Sequence, residues 1–403
     1  MDLSEWKRAL DAEFAGAEGE MLALLEELVN IDSPTASGAG VDRVGDRLTA
    51  WLAEAGFDTE RLSKPPIAPD EAWQQGLGHA RTARSHSLAA GPGIAFIGHM
   101  DTVFPEGEAA RRPFRVDRAA DTVTGPGAAD MKGGLVAMLF AARALRRLLP
   151  CPLTLMFSPD EELGSPTGSV ALKSRLPGAL AVFCAEPGGL GGRVTLSRKG
   201  SGHMRLRVTG KAAHAGRNYE DGASAVIDLA HKLLEINELL DLDRGLTVNA
   251  GMIEGGISAN SVAPWAEALI HLTYRRLEDG VNTVESIREA ARRVHVPGTS
   301  ASVSGGLRLY PLERTQAGDD LFALVREAGE SLGMRLTGQH YESAAESGLC
   351  SSALGLPTIC CMGPEGEHIH TEQEFLRLST LVPRAKLLAL SALEAAARFG
   401  SQA

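Results

Sequence analysis

Three apolar runs of strand length, in GIAFIGHM, CPLTLMFSPDEE and ALAVFCAEPGG, stop on or just before histidine and carboxylate residues. Around them stand segments with helical spacing, EMLALLEELVNIDS, VDRVGDRLTAWLAEAGF and MKGGLVAMLFAARALRRLL. A continuous apolar run suits a strand buried on both faces. Strands alternating with helices predict a mostly parallel central sheet with helices on both faces. Ligands bind such sheets beyond the carboxyl ends of the strands. HMD, PDEE and AEPG occupy those ends, so the chemistry is expected there.

The pattern changes near residue 198. RKGSGHMRLRVTGKAAHAG and AEALIHLTYRRLED alternate apolar and polar residues, as half-exposed antiparallel strands do, while GASAVIDLAHKLLEINELL and TVESIREAARRV are amphipathic helices. The chain is therefore read as a catalytic domain over 1–198 and 309–403, interrupted by an inserted α+β domain over 199–308. The second catalytic part holds a strand around LPTICCM and a closing helix, LVPRAKLLALSALEAAARF. At 403 residues and 44% hydrophobic content, the chain can bury two cores. Residues 64–92 show no period and are read as an insertion without regular structure.

Composition excludes several partners. Basic residues number 40 against 51 acidic ones, a net charge of −11, which leaves no cationic excess for nucleic acid or an anionic membrane surface. No apolar run approaches the roughly 18 residues that a spanning helix needs, and the acidic N-terminus does not read as a signal peptide. Five cysteines without CxxC spacing (Cys151, Cys184, Cys350, Cys360, Cys361) read as reduced thiols of a cytoplasmic protein. A metal ion would then have to be held by His, Asp and Glu.

Such residues are at hand. His99 and Asp101 are two apart in an extended segment and share a side. Asp130 sits in a glycine-rich loop before a helix, where alone it would read as an N-cap. Asp160, Glu161 and Glu162 follow a buried strand; three carboxylates packed there need a cation or raised pKa values. Glu186 ends the next strand, and His370 follows the last. Together these make a ligand set for a pair of divalent ions.

On the motifs GHMDTVFPEG, GPGAADMKGG, SPDEELGSPTGS, AEPG and HTEQEF, in order over nearly the whole chain, the sequence resembles the dizinc exopeptidase and deacylase family of glutamate carboxypeptidase, aminoacylase, acetylornithine deacetylase and succinyl-diaminopimelate desuccinylase. The resemblance implies two divalent-ion sites for Zn, or Mn or Co, fully or partly occupied. His99, Asp130 and Glu186 would hold one ion, and Asp130, Glu162 and His370 the other. It further implies that Glu161 is the general base, that Asp101 orients His99, and that a cis peptide joins Asp130 to Met131. His214 and Asn260 match family residues near the substrate, His214 reaching across a homodimer, or a dimer within a higher homo-oligomer, built through 199–308, the dimerisation or lid domain. Arg217, Arg275 and, less favoured, Arg308 are candidates to clamp a substrate carboxylate.

The implied activity is hydrolysis of a C–N bond in a small carboxylate-bearing substrate by a metal-activated water. Two departures bear on the substrate: the 64–92 insertion, and AAESGLCSSALGLPT, with Cys350 and Ser351 where carboxypeptidase-like members carry a Gly-Gly-x-Ser-Asp segment. They leave room for an aminohydrolase that releases ammonia from an aromatic amino acid such as 5-nitroanthranilate. A third reading is a non-catalytic binding protein of the same fold.

Overall fold

The computed structural model of the chain describes residues 2–67, 74–85 and 92–400. The chain forms two compact units: Met1–Ser197, Arg314–Tyr341 and Leu349–Ala403 make the first, and Arg198–Glu313 with Glu342–Gly348 the second. The short return at Glu342–Gly348 thus adds to the inserted unit.

The first unit is built on a six-stranded sheet of β1 (Asp58–Arg61), β2 (Arg81–Arg84), β3 (Ile94–His99), β4 (Leu153–Ser158), β5 (Ala181–Cys184) and β6 (Thr358–Ile359), in the order β1-β2-β4-β3-β5-β6. The last four strands in that order run parallel, and β1 and β2 add antiparallel at one edge. The expected mostly parallel sheet is present. β3 and β5 are buried at every position, which is why their sequences show no alternation. Phe96 and Phe183 meet edge to face across this pair, with ring centroids 5.9 Å apart. The Gly133–Leu145 helix is buried everywhere except Arg143, and it packs on β3 and the Leu381–Gly400 helix. An all-round apolar helix of this kind belongs inside a core.

One expectation is corrected. The 64–92 stretch contains β2, a strand spelled RTAR, whose first three residues are buried. Arg81 is 1% exposed and donates to Asp46 at 2.8 Å and Asp42 at 3.2 Å. The strand is hidden in the sequence because its charge is neutralised by partners on the Gly38–Glu54 helix rather than by water. Positions 68–73 and 86–91 of that insertion lie outside the described residues.

The second unit is a four-stranded antiparallel sheet ordered Thr247–Gly255, Trp265–Tyr274, Gly200–Thr209, Ser300–Leu309. Along Gly200–Thr209, Met204, Leu206 and Val208 are buried while His203, Arg205 and Arg207 are exposed. The helices Ala225–Asn237 and Leu277–Arg292 pack on this sheet and share its core. Among the described residues, no helix is long and apolar enough to cross a membrane.

One close approach ties the core to the strand ends. A Cβ on Gly134 would lie 2.0 Å from the carbonyl oxygen of Ala185, beside Glu186. Gly134→Ala is therefore expected to destabilise the chain by about 1–3 kcal/mol through overpacking. Denaturant unfolding checks this: an unchanged midpoint would mean that the helix can retreat from β5 freely.

Candidate metal centre

The parallel strands deliver their polar ends to one edge. His99 is the last residue of β3, with Asp101 two residues on. Asp160–Glu162 follow β4 directly, and Glu186 lies two residues beyond β5. Asp130 occupies the turn Ala128–Lys132 that leads into the Gly133–Leu145 helix, with φ −112° and ψ 95°, so it is not that helix's N-cap. The peptide between Asp130 and Met131 is cis, as the resemblance implied. His370 stands after the short Gly366–Glu367 strand at φ +63°, an unusual backbone for a non-glycine residue.

These side chains converge. Asp130 turns one oxygen to each imidazole: Oδ1 is 3.1 Å from His99 Nε2, and Oδ2 is 3.2 Å from His370 Nε2. His370 Nε2 also lies 3.2 Å from Glu162 Oε2, and His99 Nε2 lies 3.8 Å from Glu186 Oε1. Two sets have ligand atoms within 4.8 Å of one another: His99 with Glu161 and Glu186, and His99 with Asp130 and Glu162. Glu162 Oε1 is buried without a hydrogen-bond partner. A buried carboxylate oxygen left unmatched is costly, and a cation would satisfy it.

Asp101 organises the group from behind. Its carboxylate accepts from the backbone N–H of Glu161 (3.2 Å) and of Glu162 (3.1 Å), and from Thr35 Oγ1 (2.7 Å). His99 Nδ1 donates to the Asp101 carbonyl at 3.0 Å, which leaves Nε2 as the nitrogen facing the site. Asp160, although it belongs to the acidic triplet, points elsewhere. It accepts from Thr167 N, Thr167 Oγ1 and Gly168 N, and burial pushes it up to about 6. Glu374 is 0% exposed and accepts from the amides of Gly127, Ala129 and Asp130; burial lifts it to about 7. Neither Thr35 nor Glu374 was singled out from sequence. Thr35 lies 66 positions from its partner, whereas Glu374 stood in view in HTEQEF as a carboxylate four residues after His370.

The titrations follow from this packing. Burial opposes a charged His99, but its bonds to Asp101 and Asp130 outweigh burial and hold it well above the ordinary histidine value. His370 is raised to about 11, chiefly by Asp130 and then by Glu162. Burial alone would raise Asp130, yet the two histidines pull it below the usual carboxylate range. Burial raises Glu162.

The remaining sequence candidates lie in the second unit. His214, Arg217 and Asn260 are drawn together there: Ala215 N donates to Asn260 O at 3.0 Å and Arg217 N to His214 O at 3.2 Å, with all three side chains exposed. Arg275 is placed differently. It donates to Glu342 at 2.7 Å, while Lys199 reaches the same carboxylate at 2.7 Å, and the two cations hold Glu342 down to about 2. Cys350 and Ser351 belong to the first unit and are buried.

Residues 95–394 match Peptidase family M20/M25/M40. The chain belongs to the M20 peptidase family. Among its relatives, it is 26% identical to carboxypeptidase G2 of Pseudomonas sp. (strain RS-16), over 92% of this chain and 87% of that one. It is 27% identical to acetylornithine deacetylase of Edwardsiella ictaluri, over 91% and 95%. An M20 family metallo-carboxypeptidase from Sulfolobus solfataricus superposes with a TM-score of 0.71 at 17% identity, covering 93% of this chain and 99% of the other; that likeness is one of fold. This M20 chain is thus a metal-dependent hydrolase acting on C–N bonds, of carboxypeptidase or deacylase type.

His370 gives the centre a pH signature. Its folded pKa of about 11 stands above the ordinary 6.5, so its protonation stabilises the metal-free fold fully below pH 6.5, and this contribution fades as pH rises towards 11. With a chelator present, the melting difference between the parent chain and His370→Gln should shrink steadily from pH 6 to pH 10. A difference that stays constant would show that Asp130 and Glu162 do not hold that proton.

Proposed function

We propose that this M20 chain cleaves a C–N bond in a small substrate bearing a free carboxylate, using two divalent ions that a ligand set including His99 and His370 would hold. The observation that carries the reading is the split of Asp130, one oxygen towards each histidine. His99, Asp130 and Glu186 would hold one ion, and Asp130, Glu162 and His370 the other. The unmatched Glu162 Oε1 fits this donor set. Imidazole with carboxylate suits Zn, and equally Mn or Co. When bound, such ions supply Lewis acidity, which acidifies water and neutralises charge developing on the attacked group.

The chain's own residues do the rest. Glu161 takes the proton of the attacking water on its carboxylate and returns it to the leaving nitrogen. Its backbone is fixed by Asp101 Oδ1, and its carboxylate shares a cluster with His99 and Glu186. Asp101 keeps His99 turned with Nε2 inward. For the substrate carboxylate, Arg217 is the better clamp than Arg275. Arg275 is already matched by Glu342, whereas Arg217 has no ion pair among the described residues and neighbours His214. Five free thiols fit a cytoplasmic setting.

The second unit serves as the dimerisation domain in this reading. Leu234 on the Ala225–Asn237 helix is 69% exposed, and Met252 and Ile253 on the neighbouring edge strand are 64% and 62% exposed. A strand whose outer edge is unpaired among the described residues, beside an exposed apolar helix face, is suited to an isologous contact. His214 would then act on the partner's substrate, stabilising the oxyanion together with Asn260.

Two experiments test the reading. Glu161→Gln should retain bound metal and lose about 10²–10⁴-fold in turnover on a panel of N-acyl amino acids, glutamyl conjugates and amino-aromatic acids. Activity within tenfold of the parent would remove Glu161 as the base, and ammonia as the released product would favour the aminohydrolase. Second, two inactive variants, His214→Ala and Glu161→Gln, should regain activity when their subunits exchange, because one site per mixed dimer is complete. No recovery after proven exchange would place His214 in its own chain's site.

A further inference from the structure

Beyond the ligands lies a buried carboxylate that the proposed chemistry does not use. Glu374 is 0% exposed, and among the described residues no Lys or Arg forms an ion pair with it. Lys132, a buried cation that feels the charge of Glu374, donates its ammonium to the carbonyl of Ile31 at 2.8 Å. The hydrogen-bond donors to Glu374 are instead backbone amides of one loop: Oε1 accepts from Ala129 N at 2.8 Å and Asp130 N at 3.2 Å, and Oε2 from Gly127 N at 3.4 Å. That loop carries Asp130. Glu374 itself belongs to the segment that carries His370, four residues before it. The next residue, Phe375, opens a strand that pairs with Thr124 just ahead of the same loop.

We propose that Glu374 is a positioning residue that staples the His370 segment to the Asp130 loop, and so fixes the spacing of the two ion positions. The proposal rests on the metal reading given above. Its physical basis is the mismatch between the two segments. The Asp130 loop needs Gly127 at φ +72° and departs from helical geometry at Asp130 and Met131. His370 sits at φ +63° on a turn that is itself half exposed. The pairing of Phe375 with Thr124 brings the two segments together but stops short of both turns, so the relative placement of Asp130 Oδ2 and His370 Nε2 depends also on contacts between the turns themselves. Glu374 supplies three. Residues that orient ligands in this way typically alter metal affinity about 10–100-fold when removed.

The test uses the full chain, stripped with a chelator and titrated with Zn or Mn against a chromophoric competitor. Glu374→Ala removes both acceptor oxygens and with them all three hydrogen bonds, and Glu374→Asp keeps the charge but shortens the reach by one methylene. Both should weaken metal affinity about 10–100-fold. Glu374→Gln can still accept from Ala129 and Asp130 through its one oxygen, so it should restore most of that affinity. Asp228→Asn is the control. Asp228 is also buried and takes two amides, those of His295 and Val296, but in the second unit, which carries no proposed metal ligand. It should lower the melting temperature of the metal-free chain and leave metal affinity within about twofold.

Should Glu374→Ala fail to fold, Glu374→Asp against Glu374→Gln carries the comparison. If the parent chain takes up no divalent ion, the metal reading falls and the proposal with it. Uptake by the parent chain with equal affinity in every Glu374 variant would overturn the proposal alone.

Discussion

The centre is organised by the cost of burying like charges together. Asp101, Asp130, Glu161, Glu186 and Glu374 are each no more than 8% exposed at one edge of the sheet. An unpaired carboxylate removed from water is penalised heavily, and neighbouring carboxylates worsen the penalty. The fold meets this cost in two ways. Asp101, Asp160 and Glu374 are satisfied largely by backbone amides, which solvate their charge and fix the loops at the same time. Asp130 and Glu162 face two imidazoles across the edge. This division separates carboxylates that shape the site from those able to hold a cation in it.

It also accounts for what the sequence could and could not reveal. His99, Asp101, Glu161, Glu162 and Glu186 were legible because the strands that carry them are short, apolar and parallel, and such strands bring their ends to one edge. The acidic triplet was ambiguous as letters. Asp160 turns back to cap the Gly168–Arg175 helix through Thr167 and Gly168, while Asp101 draws in the amides of Glu161 and Glu162. That choice depends on which amides lie within reach, and no local pattern records it. β2 was hidden for a related reason. Arg81 is neutralised by Asp42 and Asp46 from a helix more than thirty positions away, so a buried strand carries the composition of a loop. Arg275 shows the converse. An arginine free to bind a substrate and one already paired to Glu342 look the same until both partners are placed.

The two ends of the centre are unequal, and the inequality follows from where each histidine sits in the chain. His99 closes a fully buried strand, has a side chain only 1% exposed, and is backed by a carbonyl and a carboxylate of its own segment. His370 has a side chain 50% exposed, at positive φ, on a turn closed by Thr371 bonding back to His368. One end closes a buried strand of the parallel sheet, whereas the other lies on a turn between two short paired strands, Gly366–Glu367 and Phe375–Arg377, and gains further support from side-chain contacts. Asp130 is the hinge between them, since its two oxygens serve both histidines. Its own backbone is held at the amide nitrogen by a carboxylate that arrives with the His370 segment. The geometry at the exposed end is therefore secured by coupling it to the buried end, with Asp130 as the shared member.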